Sequence, residues 1–177
     1  MAGPIGRWLL SVRATERLTP TTVRVTLGGD LDGFTPVSPD QQAKLFFPRP
    51  GYDLSEVPVP PEDGDAMSWF QSFRQIPEPR RPWMRSYSLR RVHLDRGEIE
   101  IDFVLHGGDE DQGPASRWAA SARPGEETVL VGPAVSHLRV PGPHDWTLLA
   151  GDETALPAIG ALLEAMPAGA RAVVFAE

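Results

Sequence analysis

The sequence predicts a mainly β protein, in which a small antiparallel Greek-key barrel precedes the first part of an α/β domain. Between residues 8 and 140, six or seven short segments have strand character and a single clear helix comes late in that order. The 19 prolines and 17 glycines among 177 residues favour turns and short strands over a helical bundle. After Pro141-Gly142-Pro143, a strand, a helix and a second strand follow, which predicts a β-α-β unit.

The strands of the barrel are predicted from alternating polar and apolar residues or from short apolar runs between turn residues. They are 8–18, 22–28, 42–47, 85–90, 98–106 and 128–131. The clearest is 98–106, where Glu98, Glu100 and Asp102 alternate with apolar residues, as in an antiparallel strand with one buried face. The strand at 128–131 is expected to close at Gly132-Pro133.

Residues 48–83 differ in character, with many prolines and an acidic run, and are predicted to be an irregular insertion at one edge of the barrel. Ser68 to Phe73 is compatible with a short helix. The aromatic side chains of this stretch are expected to pack it against the barrel, and they are Trp69, Phe70, Phe73 and Trp83.

Composition excludes several classes of function. The net charge of −7 argues against a nucleic-acid binder. The absence of cysteine removes disulfides, thiolate metal sites and iron–sulfur clusters, and the acidic loop 107–113 lacks the ligand spacing of a calcium loop, so no metal site is predicted. No apolar run approaches the ~18 residues of a spanning helix, and the N-terminal apolar run is too short for a signal peptide. We therefore expect a cytoplasmic protein without membrane insertion.

The stretch Arg85-Ser86-Tyr87-Ser88-Leu89-Arg90 combines an aromatic ring, two hydroxyls and two guanidinium groups. An aromatic plane, a hydroxyl and a cation suit a planar anionic ligand such as a flavin nucleotide. An ordinary half-exposed strand is the alternative. Seven arginines crowd the surrounding segment and predict a local basic patch for an anionic ligand, or else a solvated face: Arg74, Arg80, Arg81, Arg85, Arg90, Arg91 and Arg96.

A second candidate for anion binding is Gly113-Pro114-Ala115-Ser116. Proline is favoured at the first position of a helix, so Gly113 is the predicted cap. The backbone amides of Ala115 and Ser116, and the Ser116 hydroxyl, are then expected to leave the helix N-terminus as an anion site. The alternative is a plain capped helix.

The β-α-β unit is predicted from the apolar strand 146–150, a helix with Pro157 in its first turn and Thr154 as its cap, and the strand 172–176. Ligands bind at the carboxyl ends of such strands, where Gly151 to Thr154 lie. The helix is expected to bury Ile159, Leu162, Leu163 and Met166. One such unit leaves open apolar strand edges, so the sequence also suggests a C-terminal truncation.

Four motifs occur in an order that resembles the siderophore-interacting proteins, a branch of the ferredoxin-reductase-like flavoproteins. They are Arg85-Ser86-Tyr87-Ser88, Asp102-Phe103-Val104-Leu105-His106-Gly107, Gly113-Pro114-Ala115-Ser116-Arg117-Trp118-Ala119 and Gly151-Asp152-Glu153-Thr154-Ala155-Leu156-Pro157-Ala158. The runs Val23–Gly29 and Lys44–Pro48 are similar to that family too, so the resemblance covers nearly the whole chain.

The resemblance implies an FAD-binding barrel at 1–142 and the N-terminal part of an NAD(P)H-binding α/β domain at 143–177. It implies that FAD contacts Arg85, Ser86, Tyr87, Ser88, Asp102, Phe103, Val104, His106, Gly113, Ala115, Ser116 and Trp118. For NAD(P)H it implies Gly151, Asp152, Glu153, Thr154 and Ala155. The predicted basic rim for an anionic chelate consists of Lys44, Arg80 and Arg81.

The implied function is reduction of a ferric siderophore, by hydride transfer from NAD(P)H to FAD and single-electron transfer to iron. Two alternatives stay open, a general flavin reductase or electron carrier and a non-catalytic flavin- or siderophore-binding fragment. A ferredoxin is also left open as the electron donor. No side chain is predicted to act as a catalytic acid or base, because the flavin carries the chemistry.

Overall fold

A computed structural model describes residues 5–61, 65–105, 113–134 and 144–177. Within these ranges the chain forms nine strands and three α-helices. The strands are β1 (Gly6–Thr19), β2 (Thr22–Gly28), β3 (Gln42–Phe47), β4 (Trp83–Ser88), β5 (Arg91–His93), β6 (Glu98–Val104), β7 (Glu127–Ala134), β8 (Thr147–Gly151) and β9 (Ala172–Ala176). The helices are α1 (Ala66–Gln75), α2 (Pro114–Ser121) and α3 (Leu156–Ala165).

Seven strands form one antiparallel sheet in the order β4-β3-β7-β1-β2-β6-β5. The sheet curls, because the chain that leaves β4 returns to β6 near the opposite edge. There the Arg90 N–H donates to the Glu100 carbonyl at 2.9 Å, and the rings of Tyr87 and Phe103 lie 4.4 Å apart. The predicted fold class, a mainly β antiparallel barrel followed by β-α-β, is confirmed.

The core of the barrel consists of the inward side chains of these strands. Residues that alternate along β6, Ile99, Ile101 and Phe103, are completely buried, as their spacing predicted. A second apolar cluster lies between α1 and the outer face of the sheet, where Trp69 and Phe73 pack on Phe46. The expected packing of the insertion is thus confirmed for these two aromatic residues.

Strand β7 extends past the point at which the sequence predicted its end. It passes through Gly132-Pro133 to Ala134 because it pairs with β1 on one side and with β3 on the other. Between the pairs Gln42↔Ala134 and Lys44↔Val131 the register shifts, so Gly132 and Pro133 together oppose Ala43. A bulge of this kind accommodates a proline, which has no N–H to donate to the ladder.

The C-terminal strands β8 and β9 are parallel and flank α3 in sequence, as predicted. The cap of α3 is not Thr154 but Ala155, which provides no side-chain hydrogen bond. Thr154 lies instead in a turn, where its N–H and hydroxyl donate to Asp152 Oδ1 at 2.9 and 2.5 Å. The predicted apolar stripe is also only partly correct, since α3 buries Pro157, Ile159 and Ala161.

Much of the apolar surface of this C-terminal unit is exposed. Phe175 has 65% of its surface accessible, and the other large exposed apolar residues here are Trp146, Leu148, Leu156, Leu163, Val173 and Val174. In the described parts of the chain, no helix combines the length and the apolar character needed to span a membrane.

Candidate functional site

A cavity of about 500 Å³ lies where the barrel meets the β-α-β unit. Four groups of residues surround it: the start of β3, the end of β4, the end of β6 together with the start of α2, and the start of α3. The lining residues are Gln42, Arg85, Ser86, Tyr87, Ser88, Asp102, Val104, Gly113, Ala115, Ser116, Thr154 and Pro157. Volumes of this order are typical of sites for small molecules and cofactors.

Strand β4 supplies four consecutive lining residues, Arg85 to Ser88. It is an edge strand, paired only with β3 within the described sheet, so one side of its backbone is unpaired by strands and open to a ligand. Tyr87 is half-buried against Phe103, and this burial raises the pKa of its phenol to about 12. The hydroxyl therefore stays protonated at neutral pH and can donate a hydrogen bond.

Arg85 provides a cation beside this strand. Its side chain is exposed, and Nη1 donates to the neighbouring Met84 carbonyl at 2.8 Å. It forms no salt bridge with any carboxylate of the residues that the structure describes. This guanidinium can therefore pair with an anionic group in the cavity.

The N-terminus of α2 opens onto the same cavity. Its cap is Gly113, no side chain hydrogen-bonds the cap, the first turn contains no acidic residue, and Pro114 has no N–H. The amides of Ala115 and Ser116 are accordingly the donors available to an anion. The Ser116 hydroxyl was predicted to point out of the helix N-terminus. It donates instead to the buried Val104 carbonyl at 3.2 Å and so connects α2 to β6.

Asp102 lines the cavity, but its carboxylate is already engaged. Arg24, its partner across β2 and β6, donates Nε and Nη2 to the two carboxylate oxygens at 2.7 and 2.9 Å. The hydrogen bonds to Asp102 raise the pKa of Arg24 further. The ion pair neutralises the one carboxylate among the lining residues, which favours an anionic ligand.

Two other residues predicted to contact FAD pack in or against the core of the barrel. Phe103 is completely buried beneath Tyr87, and Trp118 packs on Phe47 and Phe103 at 5.0 and 5.7 Å between ring centroids. Neither lines the cavity, and Phe103 supports Tyr87, which does. His106 lies outside the described residues.

In the β-α-β unit, Thr154 is the one predicted NAD(P)H residue that lines the cavity, while Gly151, Asp152, Glu153 and Ala155 do not. Asp152 orients Thr154 through the two hydrogen bonds of the turn. Only glycine fits at position 151 without a clash, because a Cβ there would lie 2.4 Å from Cβ of Ala155. The carboxyl end of β8 is therefore a tight turn that places one hydroxyl at the cavity.

The predicted basic patch is mostly neutralised. Arg90 and Arg91 bind Glu164, Arg96 binds Glu98, and Arg80 binds Glu56. Arg81 donates to the carbonyls of Ile76 and Arg74 at the end of α1. Arg80 and Arg81 thus have structural partners in the insertion, and neither lines the cavity. Their place at a rim stays a prediction.

Lys44 lies beside the site, on β3. Its Nζ donates to the Ser86 hydroxyl at 3.1 Å, and it lines an apolar groove of about 370 Å³ that shares Gln42 and Ser86 with the cavity. Sequence reasoning missed Gln42, Pro157 and the partnership of Arg24 with Asp102. The sequence did allow the Arg24–Asp102 ion pair to be predicted, because both residues lie on the polar faces of strands predicted to be antiparallel.

The cavity fits a flavin nucleotide. It contains an aromatic ring on an edge strand, one arginine without a salt bridge among the described residues, and a helix N-terminus without a side-chain cap or acidic first turn. Its one carboxylate is neutralised by Arg24. These groups match a planar ring system joined to a diphosphate.

Comparison with known families assigns both parts of the chain. A profile described as "Siderophore-interacting FAD-binding domain" matches residues 11–137, and a profile described as "Siderophore-interacting protein" matches residues 144–177. The chain belongs to the siderophore-interacting protein family.

Curated relatives agree with this assignment. Ferric vibriobactin reductase ViuB of Vibrio cholerae is 35% identical over 96% of this chain, which spans 58% of that relative. NADPH-dependent ferric-chelate reductase of Escherichia coli is 38% identical over 89% of this chain and 56% of its own length. An uncharacterized protein of Mycobacterium tuberculosis is 40% identical over 94% of this chain, again with 56% of its length covered. The chain therefore spans somewhat more than half of these family members.

Solved structures show the same fold. A siderophore utilization protein from T. fusca superposes with a TM-score of 0.77 at 33% identity, covering 99% of this chain and 62% of that one. Siderophore-interacting protein SipS from Aeromonas hydrophila gives 0.71 at 31% identity, with coverages of 97% and 58%. The cytochrome b5 reductase domain of Ulva prolifera nitrate reductase, 10% identical, shares the fold at a TM-score of 0.65.

Proposed function

We propose that this chain provides the FAD-binding barrel, and part of the hydride-donor domain, of an NAD(P)H-dependent ferric-siderophore reductase. The observation that supports this most directly is the convergence of Arg85–Ser88, the open N-terminus of α2 and Thr154 on one cavity. The names of two relatives, a ferric vibriobactin reductase and an NADPH-dependent ferric-chelate reductase, point to the same activity.

In this proposal, different residues contact the flavin ring and the diphosphate of the cofactor. Tyr87 supplies the aromatic surface and Ser86 and Ser88 the hydroxyls beside the flavin ring, while Gln42 extends the polar lining. Arg85 and the amides of Ala115 and Ser116 hold the diphosphate. Val104 and Gly113 give the ligand space to approach the backbone.

The overall reaction balances as one NAD(P)H and two ferric ions giving NAD(P)⁺, one proton and two ferrous ions. Bound FAD supplies a centre that accepts two electrons together and releases them one at a time. Thr154 is placed to hydrogen-bond the hydride donor at the carboxyl end of β8. No acid–base residue is required for the iron, because hard oxygen ligands hold Fe(II) less tightly than Fe(III) and reduction itself releases it.

For the ferric chelate, Lys44 is the rim cation that the geometry supports. It is partly exposed and adjacent to Ser86 at the edge of the cavity, so its charge can attract an anionic chelate. Arg80 and Arg81 are not proposed for this role, since both have partners in the insertion.

An anaerobic visible spectrum of the chain with FAD, before and after addition of NADPH and then of a ferric siderophore, tests the proposal. We expect flavin absorbance to remain with the protein, to bleach with NADPH and to return with the ferric complex. Loss of all flavin on desalting would contradict the assignment of the cavity. Flavin that stays oxidised would limit the chain to cofactor binding.

We also propose that the chain divides into an FAD-binding part at 1–142 and an NAD(P)H-binding part at 143–177, and that the protein acts in the cytoplasm. A ferredoxin is an alternative electron donor, and replacement of NADPH by a reduced ferredoxin in the same spectroscopic assay distinguishes the two.

A further inference from the structure

Arg90 joins the barrel to helix α3. It follows Ser88 by two residues, and its Nη1 and Nη2 donate to the two carboxylate oxygens of Glu164 at 2.9 and 2.5 Å. Arg91 adds a bond from Nη2 to Glu164 Oε1 at 3.0 Å. Among the ion pairs that the structure describes, those of Glu164 connect the barrel with the β-α-β unit.

The surface of α3 accommodates this arginine. Gly160 lies one helical turn before Glu164, and a Cβ built there would lie 3.1 Å from Cζ, Nε and Nη2 of Arg90. The Arg90 side chain is only 11% exposed as a result. A larger side chain at position 160 would have to displace the Arg90 guanidinium from this surface of α3.

Backbone hydrogen bonds attach Arg90 to the barrel as well. Its N–H donates to the Glu100 carbonyl at 2.9 Å, and the preceding Leu89 is buried with its N–H bonded to the Gln41 carbonyl, also at 2.9 Å. The same segment carries Ser88, which lines the cavity. Arg90 thus couples the candidate flavin strand to α3 with one buried residue between them.

The ion pair lies at an open groove between the two parts. This groove, of about 480 Å³, is lined by Arg90, Arg91 and Glu164 together with Ala161 and Ala165 of α3 and Pro36, Pro39 and Gln41 of the barrel. Apolar side chains do not fill this part of the boundary, and the two arginines reach Glu164 across it. The hydrogen bonds from Arg90 and Arg91 also lower the pKa of Glu164 to about 2, so this carboxylate is charged at physiological pH.

We propose that Arg90, Gly160 and Glu164 form a junction that positions the β-α-β unit, so that Thr154 and Pro157 at the other end of α3 complete the cavity. A helix of ten residues is about 15 Å long, so fixing its C-terminal end constrains the direction in which its N-terminal end lies. The functional part of this inference rests on the proposed hydride-donor site. The three are positioning residues, since none of them lines the cavity.

A distance measurement tests the junction without relying on activity. The chain has no cysteine, so Leu18→Cys on the barrel and Arg171→Cys before β9 allow two spin labels to be placed without competition. Pulsed electron–electron double resonance should give a narrow distribution of distances between the two labels in this parent protein. Glu164→Gln removes the charge, and Gly160→Leu displaces the guanidinium while keeping a good helix former. Both should broaden or shift the distribution.

Glu98→Gln is the matched control. It removes the Arg96–Glu98 ion pair, in which both residues belong to the barrel, and should leave the distance distribution unchanged. Glu164→Asp, which keeps the charge, should restore part of the narrow distribution. An unchanged distribution in both Glu164→Gln and Gly160→Leu would overturn the junction.

A kinetic readout separates positioning from cofactor binding. In the FAD-loaded chain, Glu164→Gln should slow flavin reduction by NADPH roughly three- to tenfold, while FAD affinity changes by less than about twofold. Equal losses of FAD affinity and reduction rate would contradict a positioning role. If the parent itself is not reduced by NADPH, the chain is limited to cofactor binding and the hydride-donor part of the proposed function fails, while the distance measurement still decides whether the junction exists.

Discussion

Tyr87 is the residue whose environment is most readily measured. Its burial against Phe103 raises its pKa to about 12, above the value of about 10 in an unfolded chain. The unfolded state therefore loses the phenolic proton first, and stability contributed by the neutral phenol is present below pH 10 and is lost as the pH rises towards 12.

We expect the flavin-free protein to lose stability between pH 10 and 12, and Tyr87→Phe to lose less over the same interval. Chemical denaturation at a series of pH values, with absorbance at 295 nm to follow tyrosinate formation, measures both quantities. The chain has a second tyrosine, Tyr52, so Tyr52→Phe is the matched control. Identical pH profiles for the wild-type protein and Tyr87→Phe would show that the phenol is not protected.

Asp102 lines the cavity, and its carboxylate is bonded to Arg24. Because its carboxylate pairs with Arg24, Asp102→Asn should cost about 1–3 kcal/mol of stability by leaving the guanidinium partly unpaired. FAD affinity should fall much less. Urea denaturation and flavin titration measure the two effects, with the exposed Asp95→Asn as the control. A large loss of FAD affinity at unchanged stability would return Asp102 to the set of direct ligands.

At the residue level, the sequence predicted which side chains surround the cavity better than it predicted the ion pairs nearby. Arg85, Tyr87 and Ser88 were recognisable because they are consecutive and chemically distinctive. The pairing of Arg90 with Glu164 was not, since the two residues are 74 positions apart and their approach depends on how α3 lies on the barrel. The basic patch was overestimated for the same reason: a local count of arginines does not include distant acidic partners.

Helix α2 allows stability and cofactor binding to be changed in opposite directions. Gly113 caps the helix without a side chain, and a Cβ there would contact nothing within 4 Å. Gly113→Asp should therefore stabilise the protein by a few tenths of a kcal/mol, since aspartate is a better cap and favours the helix N-terminus. The same carboxylate should compete with a diphosphate and weaken FAD binding at least tenfold.

Gly113→Ser supplies the matched control, because serine caps the helix without adding a charge. It should give the stabilisation and retain most of the FAD affinity. Thermal unfolding and flavin titration of the three proteins provide the comparison. Equal FAD affinity in the aspartate and serine variants would place the anion away from α2.

Among the elements, those with strong periodicity were predicted well, and β3 and the start of α2 coincide with their predicted positions. The misplaced boundaries have local causes. Thr154 was expected to cap α3, but Asp152 attracts both its N–H and its hydroxyl into a turn. Strand β7 was expected to stop at a proline, but a bulge opposite Ala43 accommodates that residue. Side-chain competition and bulges depend on partners that a single strand or helix does not reveal.

For the whole molecule, the exposed apolar surface of the β-α-β unit predicts self-association. Val173 and Phe175 alternate along β9 and share one face of a two-stranded sheet. Replacing both by threonine keeps β propensity and should lower light scattering of the 177-residue chain on warming. Leu94→Ser, which removes an isolated exposed apolar residue from the barrel, is the control. An equal effect of the control would show that the β8–β9 surface is not the cause.

The position of β7 in the sheet has a consequence for the order of folding. Strands β3 and β4 form one antiparallel pair, while β1, β2, β6 and β5 form another group, and in the described sheet β7 is the strand that lies between them. Gly6 at the start of β1 pairs with Gly132 near the end of β7. Closing so long a loop costs chain entropy before any contact is gained, so assembly of the sheet is expected to be slow. During synthesis on the ribosome, β1 and β3 lack their shared partner until β7, which begins at Glu127, has emerged. Until then the contacts of Tyr87 and Arg90 with β6 are what connects the two groups of strands.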